Sequence, residues 1–198
     1  MAGKLNINND CILARLDGNG TLGSFTCGDM DLDGFFHKEA AMYATQLLGK
    51  TYVFSTKDVP SDVVAVFTIA NDSIKSTLIP NASRNKIQRK IPNSKRTRNY
   101  PATLIGRLGV SVKYHNMKVG SQVLDYLKYL FTREDIITGC RFLVVDAYNT
   151  DRVLKFYAEN GFTPLYPTEQ LEKAAFHLEN EDRLHSRLLY FDLIQVQK

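Results

Sequence analysis

What the chain lacks narrows its class. No apolar run approaches the roughly 18 residues that a membrane-spanning helix needs; the longest lies around Val63 to Ala70. The opening MAGKLNINND has no hydrophobic segment of the signal-peptide type, so none is expected. There are only three cysteines, Cys11, Cys27 and Cys140, odd in number and far apart. They make neither a disulfide framework nor a zinc pattern, so each reads as a small core residue and a reducing cytoplasm fits. The histidines at 37, 177 and 185 show no ligand spacing, and no metal is expected. Without an internal repeat or a break in composition, residues 1–198 read as one domain with a sizeable core.

Acid is missing from one long stretch. Between Ser73 and Leu124 there is no Asp or Glu, while 11 Lys and Arg fall there; elsewhere 14 basic residues face 21 acidic ones. The segment from Pro80 to Pro101 is the densest part, with Arg84, Lys86, Arg89, Lys90, Lys95, Arg96 and Arg98 and three prolines. It reads as a long connection. It is either a solvated basic loop or a face for a polyanion such as a cofactor or a nucleic acid.

What is present is an alternation of strands and amphipathic helices. Cys11 to Leu16 reads as a first strand, broken by turn chemistry at Asp17-Gly18-Asn19-Gly20. A helix follows, with Leu32, Phe35, Phe36, Ala40, Tyr43, Ala44, Leu47 and Leu48 at helical spacing; Asp29 or Asp31 caps its start and Gly49 ends it. Strands are expected at Lys50 to Thr56, Val63 to Ala70, Arg141 to Tyr148 and Arg187 to Val196, and a short helix at Glu169 to Phe176.

The centre of the chain is Leu104 to Phe131, read as a strand (Leu104 to Val112), a polar turn (Tyr114 to Lys118) and a helix. That helix presents Val119, Val123, Leu124, Leu127, Leu130 and Phe131 on one face, with Gly120 in its first turn. Amides at a helix start lack internal acceptors and sit at the positive end of the macrodipole, so the turn is a candidate phosphate site. A second unit of the same kind runs from Val144 to Phe162, VVDAYNTDRVLKFYAENGF. Its strand ends at Asn149, and its helix carries Phe156-Tyr157 ahead of Gly161-Phe162, with Gly161 suited to a left-handed cap.

These two stretches resemble motifs A and B of the GNAT acetyltransferase superfamily. In motif A, Gly120 matches, His115 stands where Gln or Arg is usual, and Lys118 stands where the first Gly is usual. The resemblance implies an α/β (α+β) fold with a mixed, mostly antiparallel sheet, splayed central strands and helices on both faces. It implies acetyl-coenzyme A as acetyl donor. The backbone of Leu108 and Val110 would pair with the pantetheine arm, and the amides of Met117, Lys118, Val119, Gly120 and Ser121 would hold the pyrophosphate. Tyr157 would protonate the leaving thiolate, and Asn149 either binds the cofactor or caps the helix. Asp146 and His115 lie near enough to be weighed as general base. Phe25-Thr26-Cys27-Gly28, followed by Leu32, Phe35 and Phe36, is similar to the tRNA-acetylating toxin branch, as are Arg107-Leu108 and Val144 to Ala147. That similarity implies an aminoacyl-tRNA acceptor, with tRNA on the basic loop at 80–101, and a ribbon-helix-helix antitoxin. A small or protein amine is the other acceptor. A non-catalytic acyl-CoA- or RNA-binding module is the reading from a different class.

Overall fold

The computed structural model describes residues 5–17, 20–89, 91–92 and 98–197. Seven strands run in the order β1-β2-β3-β4-β5-β7-β6. They are β1 (Cys11–Arg15), β2 (Lys50–Thr56), β3 (Val63–Lys75), β4 (Asn99–Val110), β5 (Phe142–Tyr148), β6 (Thr163–Pro164) and β7 (Ser186–Asp192). The chain groups into two compact units, Met1–Ala70 with Ile105–Tyr129, and Asn71–Leu104 with Leu130–Lys198; β3 and β4 each contribute to both. No helix among the described residues is long and apolar enough to cross a membrane.

In the first unit a short helix, α1 (Ile7–Asp10), capped by Asn6, precedes β1. β1 and β2 pair antiparallel, as do β2 and β3. Val64 to Val66 are fully shielded and Phe67 nearly so, as the unbroken apolar run of a strand covered on both faces requires. The helix expected over 32–48 forms in three parts: α2 (Met30–Gly34), a π-helical segment (Phe35–Glu39) and α3 (Ala40–Thr45). Asp29, not Asp31, is the cap, its Oδ1 accepting from the amides of Asp31 and Leu32. Phe35, Phe36 and Ala40 are buried as the stripe predicts, whereas Leu47 and Leu48 are exposed. Leu47 and Leu48 lie beyond the end of α3 at Thr45, so the helical stripe no longer sets their direction. The end also differs from expectation. Leu47 takes the left-handed conformation at φ 60°, and Gly49 serves a close approach, since a Cβ there would lie 3.2 Å from the Ile69 carbonyl oxygen.

A 3₁₀ turn (Val112–Tyr114) follows β4, so Val112 is not in the strand, and α5 (Val119–Leu130) comes next. Val119, Val123, Leu124 and Leu127 are at most 1% exposed, confirming the predicted face over its first three turns. Leu130 and Phe131 are only half-buried, and Phe131 lies beyond the helix end. Gln122 ties α5 to the first described residues, accepting from the Ile7 amide at 2.9 Å and donating to the Leu5 carbonyl at 3.0 Å.

In the second unit β5 and β7 pair antiparallel along their whole length and β6 pairs β7. β3 runs on to Lys75, past the end expected at Ala70. The 80–101 connection is not wholly a loop, because it contains α4 (Asn81–Gln88). Ile79, Ile87, Tyr100, Phe142, Tyr166 and Tyr190 share one core. A single buried contact position in α4, Ile87, left too little apolar signal to reveal this helix in so polar a stretch. Lys90, Lys95 and Arg96 lie outside the described residues, as do Gly18 and Asn19 of the expected first turn. α6 (Asp151–Glu159) and α7 (Glu169–Phe176) complete the unit, α7 with the bounds expected. β7 stops at Asp192 rather than Val196, because the Asp192 carboxylate caps a 3₁₀ turn, accepting from the Ile194 amide at 3.2 Å.

Candidate active site

The turn between β4 and α5 is built entirely within the first unit. Its first amides are consumed locally: Tyr114 N–H donates to Ser111 O, His115 N–H to Val112 O, and Met117 N–H to Tyr114 O. Gln122 N–H makes the first helical bond, to Lys118 O at 3.1 Å. Between them, the amides of Lys118, Val119, Gly120 and Ser121 have no acceptor among the described residues. Four consecutive free donors at the positive end of a 12-residue helix match an oxyanion with several acceptor oxygens. Met117 is thereby less available than its four successors.

Asn116 and Lys118 both adopt the left-handed conformation, at φ 64° and 59°. Lys118 stands where a glycine would be usual, and it adopts the backbone conformation that glycine takes without steric cost. The loop therefore has a glycine-like path in spite of its sequence.

The turn is braced from below. The Asp62 carboxylate accepts from the Tyr114 hydroxyl at 2.7 Å and pairs with the Lys113 ammonium. Lys113 and then Tyr114, as hydrogen-bond donors, hold the Asp62 carboxyl below the usual carboxylate range. His115 Nε2–H donates to the Val110 carbonyl at 3.0 Å. Of the two strand residues expected to meet a pantetheine arm, Val110 thus has its carbonyl occupied. Leu108 and Val110 are both half-buried.

The Phe25-Thr26-Cys27-Gly28 segment is sewn to the end of β4. Val112 N–H donates to Thr26 O at 3.0 Å. A Cβ on Gly109 would lie 2.9 Å from a Phe36 ring carbon and 3.1 Å from Cys27 Cβ. Only glycine lets the strand approach so closely. Asp33 holds the segment to α2, accepting from Thr26 Oγ1 and from the Cys27 amide at 2.8 Å. Burial pushes the Cys27 thiol up to about 12, and burial raises Cys11 and Cys140 too. Cys11 and Cys27 are buried and Cys140 is half-buried, and thiols raised in this way are poor nucleophiles.

In the second unit Tyr157 lies on α6, 6% exposed, with the rings of Phe156 and Phe162 edge-on at 5.1 and 5.4 Å. Burial raises its phenol well above the ordinary value. Its hydroxyl makes no hydrogen bond among the described residues, so the proton it carries is committed to no protein acceptor. The helix end is as expected: Gly161 takes φ 82°, and Phe162 N–H returns to Tyr157 O at 3.0 Å. A Cβ at Gly161 would also press on Phe191 at 3.0 Å.

Asn149 does not cap α6; the cap is Thr150, whose hydroxyl accepts from Val153 N–H. Buried Asn149 Nδ2 donates instead to Leu184 O at 2.9 Å and Glu169 Oε2 at 3.2 Å, leaving Oδ1 as its remaining acceptor. Asp146 is exposed opposite Leu188 on β7. Asp146 reads as a solvent-facing carboxylate and His115 as a brace of the strand end, so neither has the surroundings of a general base.

Arg107, part of the Arg107-Leu108 pair quoted for the toxin-branch resemblance, received no role from the sequence. It lies on the Gly109 side of β4 with its guanidinium 5.0 Å from the Phe35 ring centre. One terminal N–H donates to the adjacent Gly106 carbonyl at 2.8 Å.

No protein-family model and no curated protein sequence matches the chain. Solved structures do. AtaT complexed with acetyl-methionyl-tRNAfMet superposes with a TM-score of 0.70 at 18% identity, over 94% of this chain and 97% of that one. A tyrosine-to-phenylalanine mutant of KacT gives 0.70 at 15% identity, over 95% and 98%. An AtaT mutant toxin bound to the C-terminus of the antitoxin AtaR and acetyl-CoA gives 0.66 at 16% identity, over 95% and 96%. The likeness extends over almost the full length of both partners, and the fold is the GNAT fold expected from motifs A and B.

Proposed function

We propose that this chain is an acetyl-CoA-dependent N-acetyltransferase whose acceptor is the α-amino group of an aminoacyl-tRNA. The observation that carries this reading is the run of four free amides from Lys118 to Ser121, held in a glycine-like loop at the start of α5. They suit the pyrophosphate, with the Lys118 ammonium adding a charge to it. Acetyl-coenzyme A supplies the activated thioester. The backbone of β4 at Leu108 and Val110 aligns its arm, chiefly through groups other than the Val110 carbonyl. The amine nitrogen would bond to the thioester carbon as the carbon–sulfur bond breaks, with Tyr157 giving its hydroxyl proton to the departing thiolate and regaining one from solvent. The amine's own proton passes to solvent. Transfer is direct, because no cysteine stands in a motif position to be acylated, and burial raises the thiols of Cys11, Cys27 and half-buried Cys140.

A solved neighbour carrying acetyl-methionyl-tRNA supports the choice of acceptor. So does α4, where Lys86 and Arg89 are exposed, as is Arg98 after it, and none forms an ion pair among the described residues. Arg84 is excluded from that face, since its guanidinium donates to the carbonyls of Ser76 and Ile79 at 2.7 and 3.2 Å. We infer, by the same likeness, a cytoplasmic protein restrained by an antitoxin of the ribbon-helix-helix type.

Gly120→Glu tests the site. A carboxylate in the first turn of α5 repels the pyrophosphate, so calorimetry with acetyl-CoA should show affinity falling by at least about tenfold. Equal affinity in wild type and variant would remove the cofactor from this turn.

A further inference from the structure

Buried polar groups in folded proteins are almost always paired, and each exception calls for an explanation. Among the described residues one buried side-chain nitrogen or oxygen has no partner, Arg107 Nε. Among the described residues no carboxylate forms an ion pair with this guanidinium, and the acid-free stretch from 73 to 124 offers none on its own strand. The group is nevertheless held firmly, by the Phe35 ring on one side and the Gly106 carbonyl at one end. Phe35 opens the π-helical segment, and inserted turns of that kind are found disproportionately at functional sites. The next residue along β4 is Leu108, one of the two proposed to align the acetyl donor.

We propose that Arg107 is an acceptor-recognition residue, its guanidinium binding an oxyanion of the molecule that receives the acetyl group. This rests on the acetyltransferase reading above. A planar fork with an unused edge N–H matches two oxygens of one phosphate or one carboxylate, and stacking on Phe35 fixes its plane. The oxyanion comes either from a phosphate near the 3′ end of an RNA acceptor or from the carboxylate of a free amino acid. Orientation is the gain: a fixed oxyanion places the amine at a set distance and removes a rotational search.

The experiment compares wild type with Arg107→Gln and Arg107→Lys. One arm measures binding of an uncharged RNA hairpin ending in CCA by fluorescence anisotropy. The other measures acetylation of methionine against methionine amide, which lacks the carboxylate. A phosphate source predicts hairpin affinity lower by about tenfold or more in Arg107→Gln and a smaller loss in Arg107→Lys. A carboxylate source predicts a raised KM for methionine alone, with kcat and the amide unchanged. Melting temperature and acetyl-CoA affinity should stay at wild-type values in both variants. Unchanged hairpin binding together with an unchanged methionine-to-amide ratio overturns the proposal. So does a loss that follows a fallen melting temperature in both variants, which would make Arg107 a packing residue. Acetyl-CoA calorimetry on the wild type is independent of these arms: its failure would strike the acetyltransferase reading, while the hairpin arm still decides on Arg107.

Discussion

Lys118 occupies a left-handed backbone position at φ 59°, a conformation that costs a lysine on the order of 1 kcal/mol and a glycine almost nothing. Keeping a strained cation at the mouth of four free amides makes sense if its charge is used there. Tyr157 is the proposed acid. A phenol raised by burial stays neutral across the working pH range and carries a proton that no neighbour claims. Tyr157→Phe keeps the ring contacts with Phe156 and Phe162 and loses only the hydroxyl. Turnover should fall by about 10²-fold, with acetyl-CoA affinity unchanged; steady-state kinetics beside calorimetry checks this, and an unchanged rate would make Tyr157 a packing residue. Both residues were legible in the sequence through the motifs they sit in. Arg107 was legible only as part of a resemblance, and its unpartnered Nε was not, because that is a fact about its surroundings, and surroundings are absent from a sequence.

The element that matters most is β4 with its turn and α5. Its helix was readable from the spacing of Val119, Val123, Leu124 and Leu127, since burial against the sheet demands that periodicity. Two other elements were hidden for physical reasons. α4 buries little beyond Ile87 and Ser83, so its sequence resembles a loop. The π-helical segment from Phe35 to Glu39 is stabilised by aromatic packing between Phe35, Phe36 and Tyr43, which the ordinary helical pattern cannot distinguish from a regular turn. The brace on the turn between β4 and α5 gives a pH test. Asp62 is held below its ordinary value by Lys113 and Tyr114, so its contribution to stability is full above the unfolded-chain value of about 3.9 and is lost as pH falls through the lower folded value. Asp62→Asn should therefore melt below wild type at neutral pH, and the gap should close in strong acid. Thermal unfolding followed by circular dichroism at several pH values checks it, and a gap independent of pH would assign the loss to shape rather than charge.

At the level of the whole molecule, the GNAT fold was readable because motif B is specific: a strand ending in Asn149, then Phe156-Tyr157 and Gly161-Phe162 at fixed distances. Each of those spacings serves a geometric need visible here, such as the left-handed Gly161 that turns Phe162 back onto Tyr157. The acceptor was less legible, because it depends on where charges end up in space. The stretch from Ser73 to Leu124 carries 11 basic residues and no acidic one in a chain of net charge +4. RNA held by exposed cations of that stretch, such as Lys86, Arg89 and Arg98, would release counterions, so its affinity should fall steeply as salt rises. The central claim meets its most direct test in one reaction, wild-type protein with labelled acetyl-CoA and methionyl-tRNA at low salt, analysed for acetyl on the methionine amino group. The account predicts N-acetylmethionyl-tRNA, formed progressively more slowly as salt is raised. Acetyl-CoA bound at the α5 turn with no label reaching the amino group, even at the lowest salt, would contradict it.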